Sequence, residues 1–338
     1  MRKKVTSVLK YLFFLGLGLG LIWYSLRGLS PAEQAEMKAS FSETRLVYLL
    51  PVLICLLISH YSRAERWRLM MEPMGYKPRL SNTYLMVLIG YFFNLLVPRL
   101  GEVMKCTLLS RYEKIPADKL IGTIVAERAI DVISLLVVIL IMVTTQFNLL
   151  GQSTLEALRS MGGKEAIVKI LLLLLLLAGI FFLFRWFLKK YGHLKPVKAI
   201  NLFANGIVQG LLSIRKIHRL KAFTLHTFII WLMYLGSIYL GFLAFPQVAH
   251  LGLGASVAIL VFGSFGMIAT QGGVGAYQLA VQKTLLLYGI SSVAGLTFGW
   301  ILWGAQFVII LLSGLVALLL LPMVNKTTTH ATNHSNTA

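Results

Sequence analysis

The sequence predicts an all-α polytopic membrane protein, with about six spanning helices and two re-entrant helical hairpins arranged as an inverted repeat. Three observations support this prediction. The composition is strongly apolar, since 57% of the 338 residues are hydrophobic and 13% are charged. A weak internal repeat relates two interrupted apolar segments, and the basic residues are concentrated in alternate loops. A soluble domain of this length could not bury so much apolar surface.

The apolar runs define the predicted elements. A spanning helix needs about 20 apolar residues, and six runs have about that length: 7–26, 45–62, 119–145, 166–188, 222–245 and 292–322. Two more runs, 80–97 and 253–270, are each followed by a glycine-containing break and a short return. Such short returns favour re-entrant hairpins over 80–116 and 253–289. Alternatively, both segments span fully and the chain has eight spans.

The two predicted hairpins are related by an offset of 174 residues. With this offset, Pro98 aligns with Gly272 and Gly101 with Gly275. Broken helices at matching positions of two halves are typical of transporter binding sites. We therefore expect one transmembrane domain over residues 1–322, with repeat halves at about 45–145 and 222–322, followed by a disordered polar tail at 323–338.

The distribution of Lys and Arg predicts the orientation. Residues 63–79 contain five basic and two acidic residues, and residues 185–221 contain nine basic residues and no acidic ones. Residues 27–45 contain three of each sign, and residues 146–165 contain two of each. We therefore expect a multi-pass protein of the cell inner membrane with both termini in the cytoplasm. The first hairpin then enters from the cytoplasm and the second from outside.

The net charge of +20 lies in blocks between apolar runs. This arrangement favours anionic lipid headgroups as partners and does not indicate nucleic acid. One block, at 191–221, combines basic residues with apolar residues at helical spacing. It fits either a helix on the inner membrane surface or a solvated linker.

The first candidate site is the break around Pro98. Pro98 should end one half-helix and Gly101 should permit the turn, so that the next half-helix begins near Arg99 to Glu102 with unpaired backbone N–H groups. Such a helix start can bind an anion. The Arg99 guanidinium suits a phosphate, and Glu102 either pairs with Arg99 at rest or contacts a cationic headgroup. Alternatively, Glu102 only caps the helix and Arg99 reaches the membrane interface. Further substrate-binding candidates in this half are Asn94, Lys105 and Arg111.

A second charged group lies near the start of the third predicted span. Glu127, Arg128 and Asp131 fall within about one helical turn. They form either a substrate or proton site, or a self-neutralised triplet that ties this helix to Arg99, Lys105 or Arg111.

The second break carries no charge. Its candidate substrate-binding residues are Gln271, Gly272, Gly273, Gly275 and Gln278. The glycines either let the backbone approach a ligand or only form the tight turn. Elsewhere, His60, Arg63 and Arg66 end the second predicted span, where we expect an anchoring role at the inner interface.

Enzymatic motifs are missing from the sequence. It contains no GxSxG, no P-loop and no HExxH motif. Cys55 and Cys106 are the only cysteines and form no CxxC or Cys/His cluster. We therefore expect no enzyme activity, no metal and no other cofactor.

The first break and its surroundings resemble a known family. The run Gly90–Val103, followed by Ser110–Arg111, Ile115–Pro116, Glu127–Arg128 and Asp131, resembles the lysylphosphatidylglycerol synthase transmembrane (flippase-like) family, also called UPF0104. The later run Gly272–Ala276 is similar to the Pro-Gly-Gly-x-Gly element of that family. The sequence departs from the family pattern in having no Gly between Pro98 and Arg99, and Gln271 where Pro is frequent.

The resemblance implies a helical membrane domain that moves a phospholipid or lipid-linked headgroup between leaflets. In the multiple-resistance proteins of the family, the lipid is aminoacylated and a separate cytoplasmic synthase domain accompanies the membrane domain. We expect this chain to be a translocator without a nucleotide site. One alternative is a non-transporting membrane partner of a separate lipid-modifying synthase or glycosyltransferase. Another is an integral-membrane transferase that uses Glu102 or Glu127.

Overall fold

The computed structural model describes residues 16–146 and 217–334, with side chains as far as Asn325. All regular structure in these ranges is helical. The predicted span 166–188, the segment 191–216 and most of the loops at 146–165 and 185–221 lie outside the described residues. The α-helices are α1 (16–27), α2 (Pro31–Ser42), α3 (Leu49–Met71), α4 (Leu80–Leu96), α5 (Leu100–Glu113), α6 (Ala117–Thr145), α7 (Leu220–Ala244), α8 (Leu253–Ala269), α9 (Ala276–Leu286) and α10 (Ser292–His334).

The described part divides into two compact units whose boundary lies inside α6, between Ile124 and Val125. The first unit contains the described residues up to Ile124 and those from Ile217 onward, and the second contains those from Val125 onward up to residue 146. The single transmembrane domain over residues 1–322 stays a prediction.

Three of the described helical segments are long and apolar enough to cross a membrane: Leu46–Met74, Leu220–Ala244 and Ser292–Asn325. The first of them is longer than the predicted span at 45–62. Helix α3 continues to Met71 because Ala64, Trp67 and Met71 pack into the apolar core formed with α4. The loop predicted to start at residue 63 therefore begins only after this helix.

Helix α2 lies in the segment predicted as an external loop. It begins with a capping box, in which Ser30 Oγ accepts from the backbone N–H of Glu33 and a Glu33 carboxylate oxygen accepts from the backbone N–H of Ser30. The hydrogen bonds from Ser30 hold the pKa of Glu33 below its ordinary value. This reciprocal cap satisfies two backbone N–H donors at the start of the helix, those of Ser30 and Glu33.

The two halves of the chain follow the predicted offset. Shifted by 174 residues, Leu49–Met71 becomes 223–245, and the structure has Leu220–Ala244. Leu80–Leu96 likewise becomes 254–270, and the structure has Leu253–Ala269. Helices α3 to α6 therefore correspond in order to α7 to α10.

The first helices of the two halves run antiparallel. At one end of the pair, the Arg45 backbone N–H donates to the Ala244 carbonyl at 2.9 Å. At the other end, Arg219 lies 3.7 Å from Glu72 in an ion pair. Because Arg45 precedes α3 and Ala244 ends α7, these contacts place the start of one helix beside the end of the other.

Helices α4 and α5 form one hairpin, and α8 and α9 form another. Residues 97–99 join the first pair and residues 270–275 join the second. Each pair packs along its length. The longest of these four helices has 17 residues and is therefore about 25 Å long, which is less than the roughly 30 Å of a bilayer core.

Helix α10 runs beside both hairpins. Its contacts show in which order the two hairpins lie along it. Ser292 accepts a hydrogen bond from Gln282, near the open end of the second hairpin. Trp303 reaches the second break, Gly314 lies against Phe92 of the first hairpin, and Asn325 bonds to Asn82 at its open end. These contacts follow one another along α10, so the two hairpins lie end to end with their tips facing each other.

The C-terminal end of the described chain differs from the prediction. The sequence predicts a disordered tail from residue 323, but α10 continues through Pro322 to His334. Asn325 is tied to the fold because its amide donates to Asn82 Oδ1 at 2.9 Å and to the Leu321 carbonyl at 2.8 Å. These polar contacts, which a local sequence pattern does not reveal, keep this part of the helix against the first hairpin.

Candidate functional site

The first break has the predicted position but a different turn residue. Helix α4 ends at Leu96, and α5 begins at Leu100. The turn is made by Arg99, whose φ of 63° lies in the left-handed region, and not by Gly101, which is already inside α5. A non-glycine residue in this region costs about 1–2 kcal/mol, so the fold imposes strain on this arginine.

Gly101 serves the packing of the hairpin. A Cβ atom at this position would lie 1.8 Å from the carbonyl oxygen of Gly90 on α4. No side chain fits there, and the two helices approach at backbone distance, as small residues permit in membrane helix pairs.

The start of α5 is less open to an anion than the sequence predicts. The Gly101 backbone N–H donates to Asn94 Oδ1 at 2.9 Å. The Leu100 N–H points to the Val97 carbonyl at 3.2 Å. Two backbone N–H groups that the sequence predicts to be unpaired therefore have acceptors. The Asn94 side chain accepts from Gly101, and the Val97 carbonyl accepts from Leu100.

The second break uses its glycines for the turn. Gly272, Gly273 and Gly275 have φ values of 61°, 74° and 77°, which glycine adopts without strain. Gly275 is also confined by α1, since a Cβ there would lie 2.6 Å from the carbonyl oxygen of Gly18. The structure thus accounts for these glycines through backbone conformation and close packing.

The two breaks meet. Gln271 Nε2 donates to the backbone carbonyl of Asn94 at 2.6 Å. Trp303 Nε1 donates to the Gly272 carbonyl at 2.8 Å, so α10 holds the second break in place. Asn94 contributes its side chain to the first break and its carbonyl to the second. Trp303 was not among the predicted site residues, although an indole N–H inside an apolar helix usually has a nearby acceptor.

The charged candidates of the first hairpin are spread along it. Arg99 is exposed at the tip, and Glu102 is half-buried in the first turn of α5. The structure shows no ion pair between Arg99 and Glu102 within the described ranges, so the predicted resting pair is not formed. Arg111 is exposed in the last turn of α5, about 18 Å along the helix from Arg99, and is not brought to the tip.

Lys105 is buried between α5 and α3. Its ammonium lies 4.6 Å from the centroid of the Trp67 ring. The Trp67 ring is itself oriented by donation from Nε1 to Thr123 Oγ1 at 2.7 Å. A cation above an indole face is stabilised by the ring quadrupole, so the fold provides a defined location for this lysine charge.

The sequence predicts an anchoring role at the membrane interface for three side chains of α3: His60, Arg63 and Arg66. The structure places them in the protein interior instead. All three are buried, and Arg66 is 0% exposed. His60 stacks on Tyr91 of α4 with ring centroids 4.4 Å apart, and Arg63 donates to the Tyr234 hydroxyl of α7 at 3.3 Å. Because α3 continues through these residues and packs against α4 and α7, their side chains enter the protein interior. Buried charges in membrane segments are usually functional.

Gln278 is a buried polar residue of the second hairpin. It lies on α9, two residues after that helix begins at Ala276, and it is 1% exposed. Within the described residues, neither its amide nitrogen nor its amide oxygen has a hydrogen-bond partner. A buried amide in this state offers a donor and an acceptor to a polar group that reaches it.

Glu127, Arg128 and Asp131 lie on α6 in the second unit. Glu127 is buried, Arg128 is exposed and Asp131 is half-buried. Glu127 and Asp131 are four residues apart and therefore share one face of the helix. Across the residues that the structure describes, no three His, Cys, Asp or Glu side chains are grouped so as to hold a metal ion.

Comparison with known proteins gives the family. The family described as the lysylphosphatidylglycerol synthase TM region matches residues 8–314. A UPF0104 membrane protein of Methanocaldococcus jannaschii is 32% identical over 89 residues, a match that spans 25% of this chain and 25% of that protein. No solved structure matches the chain. Since the family match covers most of the sequence, the chain belongs to the family of the lysylphosphatidylglycerol synthase transmembrane region.

Proposed function

We propose that this chain is an integral membrane translocator that moves a phospholipid or lipid-linked headgroup between leaflets. In this proposal, access alternates around the meeting point of two re-entrant hairpins. The observation that carries it is the hydrogen bond from Gln271 Nε2 to the Asn94 carbonyl, which joins the two breaks at 2.6 Å.

The position of this contact along α10 supports a site near the bilayer midplane. The apolar segment of α10 extends from Ser292 to Asn325. Trp303 contacts the second hairpin tip, and Gly314 contacts the first hairpin close to its tip. Each of these residues stands 11 positions from the nearer end of the segment, or about 16 Å. The tips would therefore lie at similar depth from the two membrane faces.

The relation between the halves supports two access directions. Helices α3 and α7 correspond in the repeat and run antiparallel. The hairpins approach each other from opposite ends of α10. Inverted repeats with broken helices at the midplane are a known basis for alternating access. Movement of either hairpin away from the shared contact would open the site toward the face from which that hairpin enters.

The groups around the breaks suit a polar headgroup. Arg99 holds an exposed guanidinium at the tip of the first hairpin in a strained backbone conformation. Backbone strain of this kind is frequent at functional sites. Gln278 holds a buried amide on the second hairpin. A guanidinium binds a phosphate through two parallel hydrogen bonds, and the amide can bond to hydroxyl or ester oxygens of the same headgroup.

A leaflet-exchange assay tests the proposal. The protein is reconstituted into vesicles that contain a trace of headgroup-labelled phosphatidylglycerol, phosphatidylethanolamine or phosphatidylcholine. An impermeant reductant then bleaches the outer-leaflet label. We expect the bleached fraction to exceed one half for at least one lipid class, whereas protein-free vesicles stop at one half.

A bridged variant links this activity to the two tips. Leu95→Cys and Gln271→Cys are introduced together and joined by a cleavable bifunctional maleimide; Cys55 and Cys106 are both buried. Exchange should stop when the tips are bridged and return when the linker is cleaved. The unbridged double variant is the matched control. Absence of exchange for every lipid class would reject the translocator and favour the role of a non-transporting partner.

A further inference from the structure

An apolar groove runs along the second hairpin, from the residues that flank its break toward its open end. Its volume is about 390 Å³, within the range of about 300–1,000 Å³ that is usual for small-ligand sites. Residues of α8 and α9 line it: Phe262, Phe265, Gly266, Ala269, Ala276, Ala280, Lys283, Thr284 and Leu287.

The groove is formed because small residues occupy its floor. Gly266 brings α8 to backbone distance from α9, since a Cβ atom there would lie 2.8 Å from Cα of Tyr277. The small side chains of Ala269, Ala276 and Ala280 leave a furrow along the line where the two helices meet. The spacing of the α8 residues places them on one helix face. Thr284 adds little polarity, because its hydroxyl donates to the Ala280 carbonyl at 2.7 Å. An apolar chain can therefore lie in the groove without burying an unsatisfied polar group.

Charge is confined to the end that lies away from the tip. Lys283 is exposed and is the charged residue among those that line the groove. It stands in the last turn of α9, whereas Ala276 begins that helix at the break. The groove is thus apolar near the hairpin tip and cationic near the hairpin's open end.

The length of the groove matches one leaflet. From Ala276 to Leu287, α9 and its cap extend about 16 Å, roughly half of a 30 Å hydrocarbon core. A phospholipid in one leaflet has its phosphate at the interface and its acyl chain directed to the midplane. The same polarity and length are present in this groove.

We propose that this groove binds one anionic phospholipid, with an acyl chain between α8 and α9 and the phosphate at Lys283. The lipid belongs to the leaflet on the side where the second hairpin opens. Binding at this groove requires no transport, so it stands or falls independently of the translocator proposal.

Photo-cross-linking tests the site. Benzoylphenylalanine replaces Phe265, which is 50% exposed and lines the groove, or Ile268, which is 74% exposed on the same helix outside it. The full chain is reconstituted in phosphatidylcholine vesicles that contain a minor fraction of phosphatidylglycerol, so that enrichment over the bulk proportion can be measured. The cross-linked lipids are identified by mass spectrometry. We expect phosphatidylglycerol adducts at position 265 to exceed the bulk proportion several-fold, and adducts at position 268 to follow it.

Three substitutions decide the cause of any enrichment. Lys283→Gln should abolish the enrichment at position 265, and Lys283→Arg should keep it, because the second preserves the charge. Ala280→Trp fills the groove and should reduce all lipid adducts at position 265 without changing those at 268. Bulk composition at position 265, or enrichment that survives Lys283→Gln, would overturn the proposal. Thermal unfolding of each variant checks that the hairpin is intact.

Discussion

Gly90 and Gly101 bring the two helices of the first hairpin to backbone distance, since a Cβ atom at Gly101 would lie 1.8 Å from the Gly90 carbonyl oxygen. It would also lie 2.8 Å from Cγ of Asn94, the residue that joins the two breaks. The approach of these helices therefore determines where Asn94 stands.

Gly101→Ala should destabilise the protein strongly. The added methyl group must separate α4 and α5, and overpacking of this kind costs about 1–3 kcal/mol. Gly122→Ala is the matched control, because nothing lies within 4 Å of a Cβ at that helical position. Thermal unfolding in detergent should show a lower transition for the first variant and an unchanged or higher one for the second. Equal transitions for Gly101→Ala and the parent would contradict the close packing.

Arg99 allows strain and function to be separated. Arg99→Gly removes the left-handed strain and should stabilise the fold by up to about 1 kcal/mol, while leaflet exchange falls because the guanidinium is lost. Lys114→Gly is the control, since Lys114 has a φ of 53° at the other end of α5. It should stabilise the fold and leave exchange unchanged.

Arg99→Lys keeps the charge but loses the planar fork that suits a phosphate. A lost charge-assisted hydrogen bond costs about 1.5–3 kcal/mol, so exchange should slow by roughly one to two orders of magnitude. Normal exchange by this variant, combined with reduced yield of folded Arg99→Ala, would show that Arg99 has a structural role. The substrate site would then be sought around Glu127, Arg128 and Asp131.

Two neighbouring tryptophans give a test of the second break. Trp303→Phe removes the Nε1 donor to the Gly272 carbonyl and should cost about 1 kcal/mol. Trp300→Phe should cost less, because Trp300 Nε1 makes no hydrogen bond within the described part of the chain. Denaturant unfolding followed by circular dichroism compares the two. Similar losses in both variants would mean that aromatic packing, and not the hydrogen bond, holds the break.

Asn325→Ala should loosen the contact between α10 and the open end of the first hairpin. The change removes the donor to Asn82 Oδ1, and Asn82 is 0% exposed. An unsatisfied buried amide costs about 1–3 kcal/mol. Leu319→Ala is the control because Leu319 is exposed on the same helix. Thermal unfolding is the measurement, and an unchanged transition for Asn325→Ala would show that this cluster is dispensable.

Orientation can be tested at opposite ends of α3. Ser42→Cys and Lys77→Cys place thiols at exposed positions, against a background of two buried cysteines. An impermeant maleimide should label Ser42→Cys in intact cells, and Lys77→Cys only after permeabilisation. The reverse pattern would invert the predicted topology and with it the face from which each hairpin enters.

Local sequence patterns predicted both breaks and the apolar helices on either side of them. Pro98 and Gly272 mark the points where apolar runs cannot continue, and the described helices end within three residues of them. The capping box at Ser30 and Glu33 was not predicted, although its S-x-x-E pattern is present in the sequence. These features depend on neighbours in the chain, which a sequence displays directly.

Long-range packing was not predictable in the same way. Asn94 and Gln271 are 177 residues apart, and no local pattern pairs them. Arg99 takes a left-handed conformation in the turn between α4 and α5, which the preference of arginine does not predict. Arg63 and Arg66 were assigned to the interface because charge normally ends an apolar run. Their burial depends on the helices that pack against α3.

Pro322 gives α10 a point of weakness near one end of its apolar segment. Proline lacks the N–H that would bond to the carbonyl four residues earlier, so bending there costs less than elsewhere in the helix. Gly314, which touches Phe92, precedes this point, and Asn325, which bonds to Asn82, follows it. A hinge at Pro322 would release the open end of the first hairpin while its tip stayed in contact with α10.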